Sequence, residues 1–258
     1  MGTGSAAIAA LVAASFFAGS AGATELAPHR AVYRLSLAEN NPGNVTAVRG
    51  GLVMEWKKAC DGWTSNQRLA FQADQAEGAP FLYDVRFSSW ESVDNDELRF
   101  SMRSFDDGKP YEEFRGEAVV PPEGGKGKAV FAIPSGESVD LPAGTLFPTQ
   151  HIKTLIAAAE RGEHFVSVPV FDGGGIDSLS NVSAVIGKQL PADGQKPVSW
   201  SIHLAYHNLS DVTEEPEFQL AFKLRADGIT DDMTLDYGEF VLHGTLDRLE
   251  PLTVPDCR

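Results

Sequence analysis

Apolar and polar residues alternate with a period of two through most of this chain. Tyr33, Leu35 and Leu37 alternate with Arg34 and Ser36, and Leu52, Met54 and Trp56 alternate with Val53, Glu55 and Lys57. Phe81, Tyr83, Val85 and Phe87 repeat the pattern, as do Leu98, Phe100 and Met102. Further on, Trp200, Ile202, Leu204 and Tyr206 share one parity, and so do Phe218, Leu220, Phe222 and Leu224. Side chains of a strand point alternately to its two faces, so each run predicts a strand with one buried and one wet face. Asp61-Gly62, Asp107-Gly108 and Asp227-Gly228 lie between such runs and read as tight hairpin turns. The short Gly/Pro-rich pieces at 40–44, 121–127 and 191–197 read as turns, not as linkers. The pattern predicts a mainly β chain of roughly a dozen or more strands.

Two places depart from plain alternation. Met233, Leu235 and Tyr237 are odd-numbered, whereas Phe240, Leu242 and Leu246 are even-numbered. A one-residue slip beside Gly238 predicts a β-bulge within one long bent strand, which suits a sheet that curls. In 149–162, Ile152, Leu155, Ile156 and Ala159 recur at i, i+3, i+4 and i+7, which predicts a helix with one apolar stripe. Thr149 is the expected N-cap, Gly162 the expected C′ residue, and Arg161 suits the negative end of the helix dipole. Ala158 falls off that stripe, so a charge there is expected to be tolerated. A helix with one apolar face must rest on apolar surface, and the concave side of the curved sheet is its natural partner.

Composition narrows the setting. Of 258 residues, 36 are acidic and 21 are Lys or Arg, a formal charge of −15. Such a balance argues against nucleic acid as a ligand and against attachment to an anionic lipid surface by charge alone. Ala6–Ala18 is apolar and uncharged and ends near the small-residue site Ala21-Gly22-Ala23. This reads as a signal peptide over 1–23, cleaved before Thr24, with a single domain over 24–258. No Lys or Arg precedes the apolar run, so either translation starts upstream or the α-amino group supplies the positive charge. The run is too short to span a bilayer. In an exported chain, two cysteines, Cys60 and Cys257, pair by default; two unpaired buried thiols are the alternative.

A search for reactive constellations yields no G-x-S-x-G elbow, no H-E-x-x-H pair and no phosphate-binding loop. His203 and His207 have the spacing of a metal pair on a helix. On a strand they stand about 13 Å apart, too far to share a zinc ion, and read as a solvated face. His151 reads as a polar residue at a helix start. Asp172-Gly173-Gly174-Gly175 reads as a wide turn, and Asp94, Asp96 and Glu97 as a solvated loop without EF-hand spacing. No cofactor, metal or catalytic residue is expected.

Three stretches together carry a family likeness: 144–151 (GTLFPTQH) leading into the helix, 168–173 (VPVFDG), and 235–246 (LDYGEFVLHGTL) followed by the terminal Cys257. On these the chain resembles the EipB family of cell-envelope integrity proteins, periplasmic proteins of bacteria with two membranes. The resemblance implies a highly curved, spiral-like antiparallel sheet wrapped around one main α-helix. It also implies a disulfide between Cys60 and Cys257, a shape similar to the lipoprotein carriers of the Lol system, and a role in envelope integrity under stress.

Three functions compete. The first is a non-enzymatic periplasmic factor that binds an apolar or protein partner. The second is a carrier of lipid or lipoprotein acyl chains. The third is an envelope hydrolase, for which the sequence supplies no constellation. The first two differ in whether Ile152, Leu155 and Ile156 fill the concavity or leave a wide apolar pocket.

Overall fold

The computed structural model of the protein describes residues 25–39, 41, 43–209 and 215–257. The expected leader and its cleavage site before Thr24 lie outside them. The first half of the chain forms β1 (His29–Leu37), β2 (Val45–Lys58), β3 (Gly62–Gln75), β4 (Phe81–Ser92), β5 (Glu97–Asp106), β6 (Lys109–Val119), β7 (Gly127–Ile133) and β8 (Ser138–Leu141). The helix α1 (Pro148–Glu160) follows. Then come β9 (Phe165–Phe171), β10 (Leu179–Leu190), β11 (Ser199–Asn208), β12 (Phe218–Arg225), β13 (Thr230–Asp236) and β14 (Val241–Pro251).

All fourteen strands belong to one antiparallel sheet in the order β8-β7-β6-β5-β4-β3-β2-β1-β14-β13-β12-β11-β10-β9. Two meanders, β1–β8 and β9–β14, are thus joined by the pairing of the first strand with the last, for example Ala31 with Leu249. The two outer strands, β8 and β9, are consecutive in sequence, and the segment between them draws the sheet's edges together. Leu146 lies along β9, its N–H donating to Pro169 O at 2.9 Å and its carbonyl accepting from Phe171 N–H at 3.1 Å. The result is a nearly closed, barrel-like sheet, which shields most of the edge that a flat sheet of this size would expose. The predicted mainly β class, with a strongly curved sheet around one helix, is the observed one.

The hairpin signals hold at the turns. Asp106 pairs with Lys109, and both Asp107 (φ 49°) and Gly108 (φ 75°) are left-handed, the geometry a two-residue turn needs to match strand twist. The bulge expected at Gly238 is instead another hairpin. Leu235 pairs with Leu242 and Asp236 with Val241, and Tyr237 N–H donates to Phe240 O at 3.1 Å around a left-handed Gly238. Across a two-residue turn, partners always differ in parity, so a phase slip beside glycine marks a hairpin as readily as a bulge. A true irregularity lies elsewhere, between Val32 and Tyr33 of β1, where the register against β14 shifts.

Helix α1 sits in the concavity. Leu155, Ile156 and Ala159 are buried, and Ile152 packs partly buried against the same cluster, which includes Val182, Ala184 and Ile186 of β10 and Trp200, Ile202 and Leu204 of β11. Ala158 is fully buried too, which corrects the expectation that it lies off the apolar stripe. The curved sheet wraps more than one face of the helix, so its contact arc is wider than a single stripe. The C-terminus closes as expected: Gly162 is left-handed (φ 75°), its N–H donates to Ala159 O, and Glu163 N–H donates to Ala158 O. The N-cap is Phe147, not Thr149, and its side chain makes no capping bond.

Candidate functional site

The helix N-terminus is where structure and sequence differ most. Pro148 occupies the first helical position and Phe147 offers no oxygen, so the free N–H groups need an acceptor from elsewhere. Glu91 of β4 supplies it. One carboxylate oxygen accepts from Thr149 N–H at 2.7 Å and the other from Gln150 N–H at 2.9 Å. A carboxylate at this end of a helix also meets the positive end of the dipole. Glu91 is only 2 % exposed. Burial holds its carboxyl above the usual carboxylate range, against the opposing pull of the two N–H donors and of Lys153.

A row of rings with buried nitrogens leads from β1 to this junction. His29 pairs across the sheet with Trp56, Trp56 meets Trp63 edge to face at 6.3 Å, and Trp63 pairs with Glu91. His151 lies one residue beyond Gln150, buried in the same turn of α1. Burial pushes its imidazole down to about 4 and lowers that of His29 as well. Nε2 of both histidines and Nε1 of both tryptophans have no hydrogen-bond partner among the described residues. Chemically this is an anchoring junction. Both oxygens of Glu91 accept from backbone donors, so the carboxylate ties β4 to the start of α1. His151 lies in the first turn of α1, at the helix start expected for it, and is buried there. Glu91 was missed. Its only sequence signal is negative: a Phe-Pro helix start without Ser, Thr, Asp or Asn at the N-cap position implies an acceptor from outside the helix.

The cysteines meet across β1. Cys60, in the β2–β3 turn, is bonded to Cys257 in the tail, 197 residues away, with Cα atoms 5.4 Å apart. The geometry follows from register: His29 of β1 pairs on one side with Trp56 and on the other with Pro251. His203 is exposed, on the solvated face proposed for it, and His207 is half-buried. Asp172 Oδ1 accepts from Gly174 N–H at 2.8 Å, so the glycine run is a turn held by its own aspartate. Ser92 Oγ binds Asp96 within the acidic loop. No group of three or more His, Cys, Asp or Glu among the described residues converges as a metal site. Two clefts, of about 800 and 540 Å³, open on the outer face of the sheet, away from α1.

Comparisons with known proteins agree with this architecture. The family model described as EipB-like matches residues 20–253. The cell envelope integrity protein EipB of Brucella abortus (strain 2308) is 33 % identical over 247 residues, which cover 90 % of this chain and 87 % of that protein. A crystal structure from Brucella abortus, of a β-barrel-like protein of a domain of unknown function, superposes with a TM-score of 0.81 at 32 % identity, covering 89 % of this chain and 99 % of that one. The match runs through both meanders and the helix between them, and the chain belongs to the EipB-like family.

Proposed function

We propose that this protein supports the integrity of the cell envelope from the periplasm, by binding a protein or apolar partner and without catalysing a reaction. The relative from Brucella abortus is named for envelope integrity. A bond between cysteines 197 residues apart suits an oxidising compartment. On this reading the leader is removed before Thr24 and residues 24–258 act as one domain.

The observation that carries the binding reading over the carrier reading is the filled concavity. Leu155, Ile156 and Ala158 are fully buried against β10 and β11, where an acyl chain would have to lie. The partner then meets the outside of the molecule. Deletion of the coding sequence in its host, followed by challenge with detergent, is the test. The expected outcome is sensitivity that the wild-type chain restores. A deletion strain as resistant as its parent would remove the envelope role. Lipid extracted at one equivalent from the purified native protein would replace binding by carriage.

A further inference from the structure

The outer face of β1–β7 has a character unlike the rest of this acidic chain. Outward positions follow from register. Arg86, Ser88 and Trp90 of β4 stand opposite Arg103, Ser101 and Arg99 of β5, while Leu98 and Met102 point inward and are buried. The two clefts on this face share Asn66, Ser88 and Ser101, so they form one continuous groove. Arg30, Arg68, Arg86 and Arg103 line one side, and Lys57, Arg99 and Arg115 line the other. Seven of the chain's 21 Lys and Arg therefore face the groove, against Glu55 and Glu117 in its lining. Glu55 pairs with Lys57, and Glu97 and Glu113 beside the groove pair with Arg99 and Arg103, so the positive surplus rests on Arg30, Arg115 and the Arg68–Arg86 pair.

The charges are arranged to be read from outside. Asp84 is shared by Arg68 and Arg86, and its side chain is 12 % exposed where theirs are 56 % and 54 %. One carboxylate beneath two guanidinium groups leaves a surplus positive charge at the surface. Arg99 lies over the Trp90 ring at 4.9 Å and Arg86 over the Phe105 ring at 4.8 Å, which fixes their planes. Arg30 and Arg115 form no ion pair among the described residues. Between the two cationic sides the floor is built of hydroxyl and amide side chains, Thr64, Asn66, Ser88 and Ser101.

We propose that this groove binds an acidic glycan chain, its carboxylate or phosphate groups on the arginines and its hydroxyls on the Ser/Thr/Asn floor. Six strand spacings of about 4.8 Å make the groove roughly 29 Å long, suited to an extended polymer. The overall charge of −15 does not forbid this, because charges farther than about 8 Å are screened at physiological salt. A single-stranded nucleic acid fits less well: it needs open aromatic faces for stacking, and guanidinium groups lie over Trp90 and Phe105. A bilayer is flat, and these cations line a concavity.

The inference goes beyond the envelope role and is separable from it: a detergent phenotype can survive the loss of glycan binding, and the reverse. The test is fluorescence anisotropy with labelled oligogalacturonate and the purified chain, repeated with a phosphomannan fragment. The expected result is saturable binding that weakens with salt and is not competed by neutral dextran. Arg115→Glu should weaken it roughly tenfold. Lys188→Glu, the same charge change on exposed β10, should leave it within about twofold. Arg115→Ala, with a smaller loss of the same sign, serves if the reversal perturbs folding. Absence of binding to both acidic probes, equal losses in Arg115→Glu and Lys188→Glu, or competition by dextran would each overturn the proposal. So would tighter binding to phosphatidylglycerol vesicles or to poly(dT), which would assign the groove to a membrane or a nucleic acid.

Discussion

The two meanders use the same alternation for different ends. In β10 and β11, Val182, Ala184 and Ile186 and then Trp200, Ile202 and Leu204 are all but inaccessible, and they close over Leu155 and Ile156 of the helix. In β2, most residues from Gly50 to Trp56 are half-buried on both faces. Its inward residues Leu52, Met54 and Trp56 only flank the core. On the outward side of the same meander, arginines paired with Asp84, Glu97 and Glu113 flank a row of hydroxyl and amide side chains. Burying one face completely gives stability. Leaving the other open and patterned leaves it free to recognise a partner. The contrast is local to β2: β5, β6 and β7 of the same meander bury Leu98, Phe100, Ala118, Ala129 and Phe131 as completely as β10 and β11 bury theirs, and the outer face of β1–β7 is the binding surface proposed above.

The largest effects are expected in helix α1. Leu155→Asp puts an unpaired carboxylate in the core and should cost more than ~4 kcal/mol, enough to unfold a marginally stable domain. Ala158→Asp should now be comparably severe, since Ala158 is equally buried. Thermal melting of the two variants checks this; a mild Ala158→Asp would mean that α1 touches the sheet by one stripe only.

The next largest effect concerns the bond that ties the two meanders at their shared strand. In the chain-entropy model, closing a loop of this length restricts the unfolded chain by roughly 5 kcal/mol, an upper guide for a disulfide. Cys60→Ser and Cys257→Ser should each lower the melting temperature, and the double variant should be no worse than either, because all three remove one bond. Additive losses would show that each cysteine acts through its own packing.

The junction between the meanders also responds to pH. Burial lowers the folded pKa of His151 to about 4 from its ordinary 6.5. Between those values the unfolded chain takes up a proton that the folded chain refuses. The His151 contribution to stability is thus fully present above about pH 6.5 and is lost as the pH drops toward 4, while Glu91, whose carboxyl is shifted up, acts in the opposite sense. At about 1.4 kcal/mol per pH unit the loss from His151 is at most ~3.5 kcal/mol. Urea unfolding at pH 7 and pH 5 should show a smaller loss in His151→Gln than in the wild type, with His29, shifted the same way, sustaining the remainder. Parallel losses would acquit His151. Smallest of all is Ser88→Ala on the outer groove, expected within about 0.5 kcal/mol by the same unfolding measurement. A larger effect there would mean the outer face is structural after all.

Much of this molecule was legible in residue order. Period-two runs announced the strands, Asp-Gly pairs the turns, and the recurrence of Ile152, Leu155, Ile156 and Ala159 the helix, because alternation and helical repeat are local consequences of backbone geometry. The parity change at Gly238 was legible but ambiguous, since a bulge and a two-residue turn shift parity alike.

Other features depend on which strands become neighbours. The cap on α1 comes from Glu91, 58 residues before Thr149, and no local pattern links a strand carboxylate to a helix start. Ala158 became core only because the sheet curls far enough to cover a second side of the helix. The cationic groove is scattered over seven strands, and its residues meet because antiparallel register places Trp90 beside Arg99 and Ser88 beside Ser101. Sequence alone determined the elements, since each is decided by forces reaching a few residues. The helix anchor, the extent of the core and the outer groove depend instead on neighbours that the chain brings together from far apart, because those neighbours set burial and charge convergence.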